Sequence, residues 1–94
     1  MTSITYDPAK DSSNQVKHGL SLALAKELEW DTLECKPDTR RDYGELRQLG
    51  YAIAADRLYC VVFVDRPDDA PTERRIISLR KANSREVKSY EANS

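Results

Sequence analysis

The side chains able to move protons or hold an anion fall in four separated stretches of this chain. The first is Lys17-His18-Gly19, which carries the single histidine. Imidazole titrates close to neutrality by type, so His18 suits proton transfer in either direction. It suits equally well the capping of a helix end, where its cation meets exposed carbonyls. The second stretch holds Arg40, Glu45 and Arg47. Glu45 and Arg47 stand two apart and would share a face of an extended segment. They read either as a carboxylate base beside an anion-holding guanidinium, or as a solvated ion pair that adds little to stability. The third stretch, over 74–80, alternates cationic and apolar residues. Strict alternation puts Arg74, Ile76, Ser78 and Arg80 on one face and Arg75, Ile77 and Leu79 on the other. Arg80 is the strongest candidate for taking up developing negative charge. It stands at a strand end just before a helix start, where backbone amides and the helix dipole already favour anions. Arg75 can instead lay its aliphatic stem along the core edge. Arg74, Lys81, Arg85 and Lys88 read as solvated charges that steer a polyanion inward. The fourth is Tyr90, which can stack on a base or pack the last helix against the sheet.

Holding these groups in place requires a fold, and 94 residues suffice for one small domain spanning 1–94. A third of the chain is charged and 39% is hydrophobic, a globular balance. The net charge of −1 hides an asymmetry: residues 1–70 carry −4 and residues 71–94 carry +3. That segregation suits a protein meeting an anion on one surface. Cys35 and Cys60 have no metal-ligand spacing and read as reduced thiols packed in the core. The opening residues resemble no signal peptide and no segment reaches membrane-spanning length, so a cytoplasmic protein is expected. There is no nucleophilic triad, P-loop, zinc motif or GxGxxG pattern. The acidic run over 65–69 lacks the glycine and terminal glutamate of a calcium loop. No metal or cofactor is expected.

Asp7-Pro8 reads as an N-cap followed by proline at the first helical position, and Gly19 as the left-handed residue that ends that helix. Ser21 caps a second helix, with Leu24 and Leu28 on one face, closing near Trp30-Asp31. A short strand is expected over 33–36, a charged turn over 37–42 and an extended segment over 44–53. Ala55-Asp56 forms a hairpin tip. The continuous apolar run over 58–64 is the central strand. A loop over 65–71 leads to a strand over 72–80. Asn83 with Glu86 forms a capping box for the last helix. Trp30 and Phe63 read as core or as partner-covered surface. The fold class is α+β: an antiparallel sheet with two N-terminal helices and one C-terminal helix.

An ordered series of segments gives this chain a family likeness. It comprises Tyr6-Asp7-Pro8-x-Lys10; Asn14-x-x-Lys17-His18-Gly19-x-Ser21; Asp38-x-Arg40-x-Asp42-Tyr43-Gly44-Glu45-x-Arg47; and Arg75-Ile76-Ile77-Ser78-x-Arg80-x-Ala82-x-x-x-Glu86, closing with Tyr90-Glu91. The series resembles the BrnT family of toxins from bacterial type II toxin–antitoxin systems. The resemblance implies a small RelE-like domain, endoribonuclease activity that blocks translation, and a cognate BrnA-like antitoxin with a ribbon-helix-helix DNA-binding part. Through that antitoxin the hetero-oligomer would reach promoter DNA. The chain departs from the family at Leu22, where an aromatic is usual, and at Ala52, often glycine. These positions concern packing and turns.

Metal-free RNA cleavage uses the 2′-hydroxyl as internal nucleophile. A site for it needs groups that remove and supply a proton and fixed cations aimed at the charge developing on phosphorus. On this reading His18 or Glu45 moves protons, and Arg47 and Arg80 neutralise charge. Lys17, Arg40, Arg75 and Tyr90 bind the RNA. The rival expectation is a catalytically inactive module that acts only with its antitoxin on DNA.

Overall fold

The structure is a computed structural model that describes residues 2–40, 42, 44–67 and 70–93. Tyr43 of the family-like series, and Asp68 and Asp69 of the acidic loop, lie outside the described residues. The chain runs β1 (Ser3–Tyr6), α1 (Pro8–His18), a 3-10 helix (Leu22–Glu27), β2 (Glu29–Pro37), β3 (Gln48–Ala54), β4 (Arg57–Arg66), β5 (Glu73–Lys81) and α2 (Ser84–Ala92). The five strands form one sheet in the order β1-β5-β4-β3-β2. The apolar run over 58–64 lies in β4, the middle strand, as expected for a segment covered on both faces.

The sheet is mixed, which corrects the antiparallel expectation. β2 to β5 pair antiparallel, but β1 lies parallel to β5, from Ser3 against Glu73 to Tyr6 against Ile76. The opening segment is too short to announce its partner. The second N-terminal helix is a single 3-10 stretch ending at Glu27, and β2 starts at Glu29 and takes in Trp30 and Asp31. Ser21 does cap it, accepting from the Ala23 amide. The stretch is held by its buried Leu22 and Ala25 rather than by a long amphipathic face. β4 runs on into the expected loop, because Asp65 forms a two-pronged pair with Arg74 across the strands, at 2.7 and 2.9 Å.

The core lies between one sheet face and the N-terminal segments. Tyr59, Val61 and Phe63 of β4, Ile76 and Leu79 of β5, and Ala52 and Ala54 of β3 pack against Leu22, Ala25 and Leu28. Trp30 closes its lower end: its ring meets Phe63 edge-on at 5.6 Å, and the Arg74 guanidinium caps both rings at 4.8 and 4.4 Å. Cys60 is a buried free thiol and Cys35 an exposed one, so only Cys60 behaves as core.

The register of β5 holds the main departure from strict alternation. Val62 faces Ser78 while Phe63 faces Ile76, so Ile77 is an extra residue, a β-bulge. Below the bulge Arg74 and Ile76 face the core with Phe63. Above it the parity flips, and Leu79 takes the core side. The partners of Cys60, Val62 and Val64, on the opposite face, are Arg80, Ser78 and Arg75. Arg75 therefore shares a face with Ser78 and Arg80, and Arg74 does not.

Candidate active site

Each wall of the site has a local cause. α1 begins where the Asp7 side chain accepts from the Ala9 amide, with Pro8 following, and ends at Gly19, whose φ of +70° suits a residue without a β-carbon. Between these caps, Lys10, Asn14, Lys17 and His18 recur at the spacing that places them on one side of the helix. The opposite wall is the connection between β2 and β3. The Asp38 amide donates to the Arg47 carbonyl at 2.7 Å, which closes the base of that loop and brings Arg40 and Arg47 near one another. Asp38 is buried, and its carboxylate accepts from Arg40 Nε and Nη2, both at 2.8 Å. That grip fixes the direction of an arginine whose side chain stays 67% exposed. The floor is the outer sheet face at the bulge, formed by Val62, Ile77 and Ser78.

Together these walls enclose a concavity of about 350 Å³, with Lys10, Lys17, His18, Arg40, Arg47 and Ser78 around it. Four lysine or arginine side chains and one imidazole thus face a single hollow beside a hydroxyl. Such a set can neutralise a phosphodiester and exchange a proton with it.

Arg80 stands on the same sheet face, two residues along β5 from Ser78. Its Nη1 and Nη2 each donate to Glu86 at 2.8 Å, and Nη1 also reaches the Lys81 carbonyl at 3.3 Å. Glu86 is simultaneously the capping-box glutamate of α2, accepting from the Asn83 amide, and it accepts from the Tyr51 hydroxyl at 2.8 Å. The Arg80 bonds, ahead of the other contacts, pull the Glu86 carboxyl down to about 2. Burial, helped by the carboxylate beside it, pushes the Tyr51 phenol up to about 12. The same pairing raises the Arg80 guanidinium above its ordinary value. Burial raises the Cys60 thiol, which sits beneath this group and feels both Arg80 and Arg40. Arg40 and Arg80 thus border the same patch of sheet.

The structure draws Lys17, His18, Arg40 and Arg47 into one hollow and sets Arg80 beside it. Glu45 stands elsewhere: its carboxylate accepts from Arg66 Nη2 and Nε at 2.8 and 3.2 Å, outside the lining of the concavity. Tyr90 also stands outside the lining of the concavity, one turn of α2 beyond Glu86, donating to the Thr32 carbonyl at 2.5 Å. Lys10, Asn14 and Ser78 escaped the sequence reading as site residues. Helical spacing from Lys17 and His18 could have found Lys10 and Asn14. Ser78 needed the bulge.

The family model for the ribonuclease toxin BrnT of type II toxin–antitoxin systems matches residues 6–86. The chain belongs to the BrnT family of ribonuclease toxins. The crystal structure of the Brucella abortus ribonuclease toxin BrnT is similar with a TM-score of 0.67, at 20% identity, over 89% of this chain and 100% of that one. At that identity the likeness speaks for the fold, a five-stranded sheet with flanking helices. No curated protein sequence matches the chain. Membership of a type II toxin family makes an antitoxin the expected partner. Among the described residues no helix is long and apolar enough to cross a membrane, and no three His, Cys, Asp or Glu side chains gather as a metal site.

Proposed function

We propose that residues 1–94 act as one RelE-like endoribonuclease toxin that cleaves RNA without a metal and so stops translation. Arg47, Arg40 and Lys17 hold the non-bridging oxygens of the scissile phosphate. His18 takes the proton of the 2′-hydroxyl or delivers one to the leaving oxygen. The 2′-oxygen forms its bond to phosphorus, the bond to the 5′-oxygen breaks, and that oxygen leaves protonated. The products are a 2′,3′-cyclic phosphate and a 5′-hydroxyl. Arg80, held in place by Glu86, stands ready for the charge that builds in the transition state. Arg75 and Tyr90 serve RNA flanking the cleaved bond. The partner is a BrnA-like antitoxin whose ribbon-helix-helix part carries the hetero-oligomer to promoter DNA.

One observation carries this reading. Cations from α1 and from both ends of the β2–β3 connection converge with the histidine on a single hollow. Antitoxin-free protein incubated with RNA at neutral pH in EDTA should yield fragments with cyclic phosphate ends. Intact RNA from a folded sample overturns the proposal, and cleavage seen only with ribosomes present reassigns the substrate.

The second reading, a non-catalytic module that works only with its antitoxin on DNA, has one observation in its favour: both outer nitrogens of Arg80 are engaged by Glu86. Growth arrest on expression that Arg80→Ala abolishes, with the fold retained, decides for the nuclease.

A further inference from the structure

β5 loses its outer neighbour halfway along. β1 pairs with it only from Glu73 to Ile76, and past the bulge the outer edge of the strand turns toward α1. At Leu79, fully buried, both backbone groups on that edge need partners. Asn14 supplies both. Its Nδ2 donates to the Leu79 carbonyl at 2.8 Å, and its Oδ1 accepts from the Leu79 amide at 3.1 Å. The second Nδ2 hydrogen goes to the Leu20 carbonyl at 2.9 Å, just beyond the helix end. One carboxamide thus does the work of an absent strand and ties three segments together.

We propose that Asn14 is the positioning residue of the active site, the pin that fixes Lys17 and His18 at their distance from Ser78 and Arg80. The inference rests on the ribonuclease reading above and adds a residue to it. The β1 ladder ends at Tyr6 against Ile76 and fixes where α1 begins, but beyond it little else sets the register of the helix on the sheet. Asn14 is the one buried residue of the helix. Val16 is 87% exposed, so no apolar stripe seats α1. Asp11 anchors the helix through its bonds to the Ser21 hydroxyl and the Leu22 amide, which join it to the next segment and not to β5. Lys17 and His18 follow Asn14 by three and four residues, on the same side of the helix, so a shift at Asn14 moves both.

The chemistry of the position is narrow. Aspartate offers no donor and would set a carboxylate against two carbonyl oxygens. Glutamine keeps the donors and acceptor but is one methylene longer, so it restores the bonds only by displacing the helix. A misplacement of about 1 Å costs catalysis on the order of a hundredfold. Of the three phosphate grips only Lys17 moves with the helix; Arg40 and Arg47 come from elsewhere in the chain and stay put, so binding suffers far less than the alignment of the imidazole.

The test compares Asn14→Gln and Asn14→Ser with the parent. It reads kcat, KM, affinity for an RNA analogue with a 2′-deoxy scissile nucleotide, and the thermal midpoint. We expect folded variants in which kcat falls roughly 10- to 100-fold while KM and analogue affinity stay within about threefold. A folded variant with kcat within about threefold of the parent overturns the inference. So does a loss of analogue affinity as large as the loss of kcat, and so does failure of both variants to fold, which would make Asn14 a folding residue alone. A parent that leaves RNA intact removes the ribonuclease reading itself, an outcome distinct from an active parent with active variants.

Discussion

Arg47 and His18 meet across the hollow from different parts of the chain, and their substitution should have different signatures. Arg47 offers a planar fork that can hold two phosphate oxygens at once. Arg47→Ala should lower kcat/KM for RNA by roughly 100- to 1000-fold, the usual scale for losing a fixed charge-stabilising donor. Arg47→Lys should recover only part of this, because an ammonium is a point charge. The proton carrier is decided by a pair of variants. His18→Asn should cost about 10²- to 10⁴-fold in kcat. Glu45→Gln should cost far less, because the Glu45 carboxylate is occupied by Arg66. A larger loss at Glu45 than at His18, measured as kcat on one RNA, would move the base to Glu45.

Among the helices, α2 depends on one carboxylate. Glu86 completes the capping box, grips Arg80 and accepts from Tyr51, and no residue of α2 is buried. Its pKa is lowered from 4.5 to about 2. A depressed acid stabilises the fold only while ionised, so this support is complete above the ordinary glutamate value. It is lost as pH falls from 4.5 toward about 2. The protection of α2 amides, taken as exchange relative to the intrinsic rate at the same pH, should therefore fall across that window, ahead of protection in β4. Glu86→Gln should remove the pH dependence and cost ~1–2 kcal/mol, the low end for charged hydrogen bonds because Arg80 is 36% exposed. Equal protection factors in α2 at pH 6 and near pH 3 would sink this account. The β3–β4 tip offers a second test. Ala55 and Asp56 have φ of +48° and +63°, a conformation that favours Asn-Gly. Ala55→Asn with Asp56→Gly should raise stability by about 1 kcal/mol in thermal melts. Caps were legible in the sequence because they are local chemistry: Asp7-Pro8, Gly19, Ser21, and Asn83 with Glu86 all stand where their types suggested, and the tip at Ala55-Asp56 was placed by the apolar runs around it, with no glycine to mark it. The bulge at Ile77 was not legible, because strict alternation is the only parity a strand sequence displays. The parallel seat of β1 depends on which sheet edge lay open, which no local pattern records.

For the whole molecule, the charge asymmetry along the sequence does not mark the residues that line the hollow. The excess of cations over 71–94 suited a protein that meets an anion on one surface. Yet the lysines and arginines that face the hollow, Lys10, Lys17, Arg40 and Arg47, all come from the acidic part of the chain. The fold gathers four of them and directs much of the acid elsewhere: Asp65 to Arg74, Glu45 to Arg66, Glu86 to Arg80. Sequence reading found most of the hollow's charged residues one at a time, through their types and family-like spacing. Their gathering runs through the Asp38–Arg47 backbone bond, nine residues apart, and the Asn14–Leu79 bonds, sixty-five apart, pairings that no local pattern displays. Such a gathering predicts a definite salt response. If roughly three to five cations each displace a counterion from single-stranded RNA, log affinity should fall with log salt at a slope of about −2 to −3.5. The measurement is binding of an uncleavable 2′-deoxy-substituted oligonucleotide between about 50 and 200 mM salt. Arg40→Ala should make that slope shallower by about 0.7 and weaken binding for every sequence alike, since a phosphate contact carries no base information. Lys88→Ala, on α2 and outside the lining of the hollow, should leave the slope nearly unchanged. A shift at Lys88 as large as that at Arg40 would mean that RNA follows the general surface potential and not the hollow. The charge sorting achieved by the fold would then have no bearing on where the strand lies.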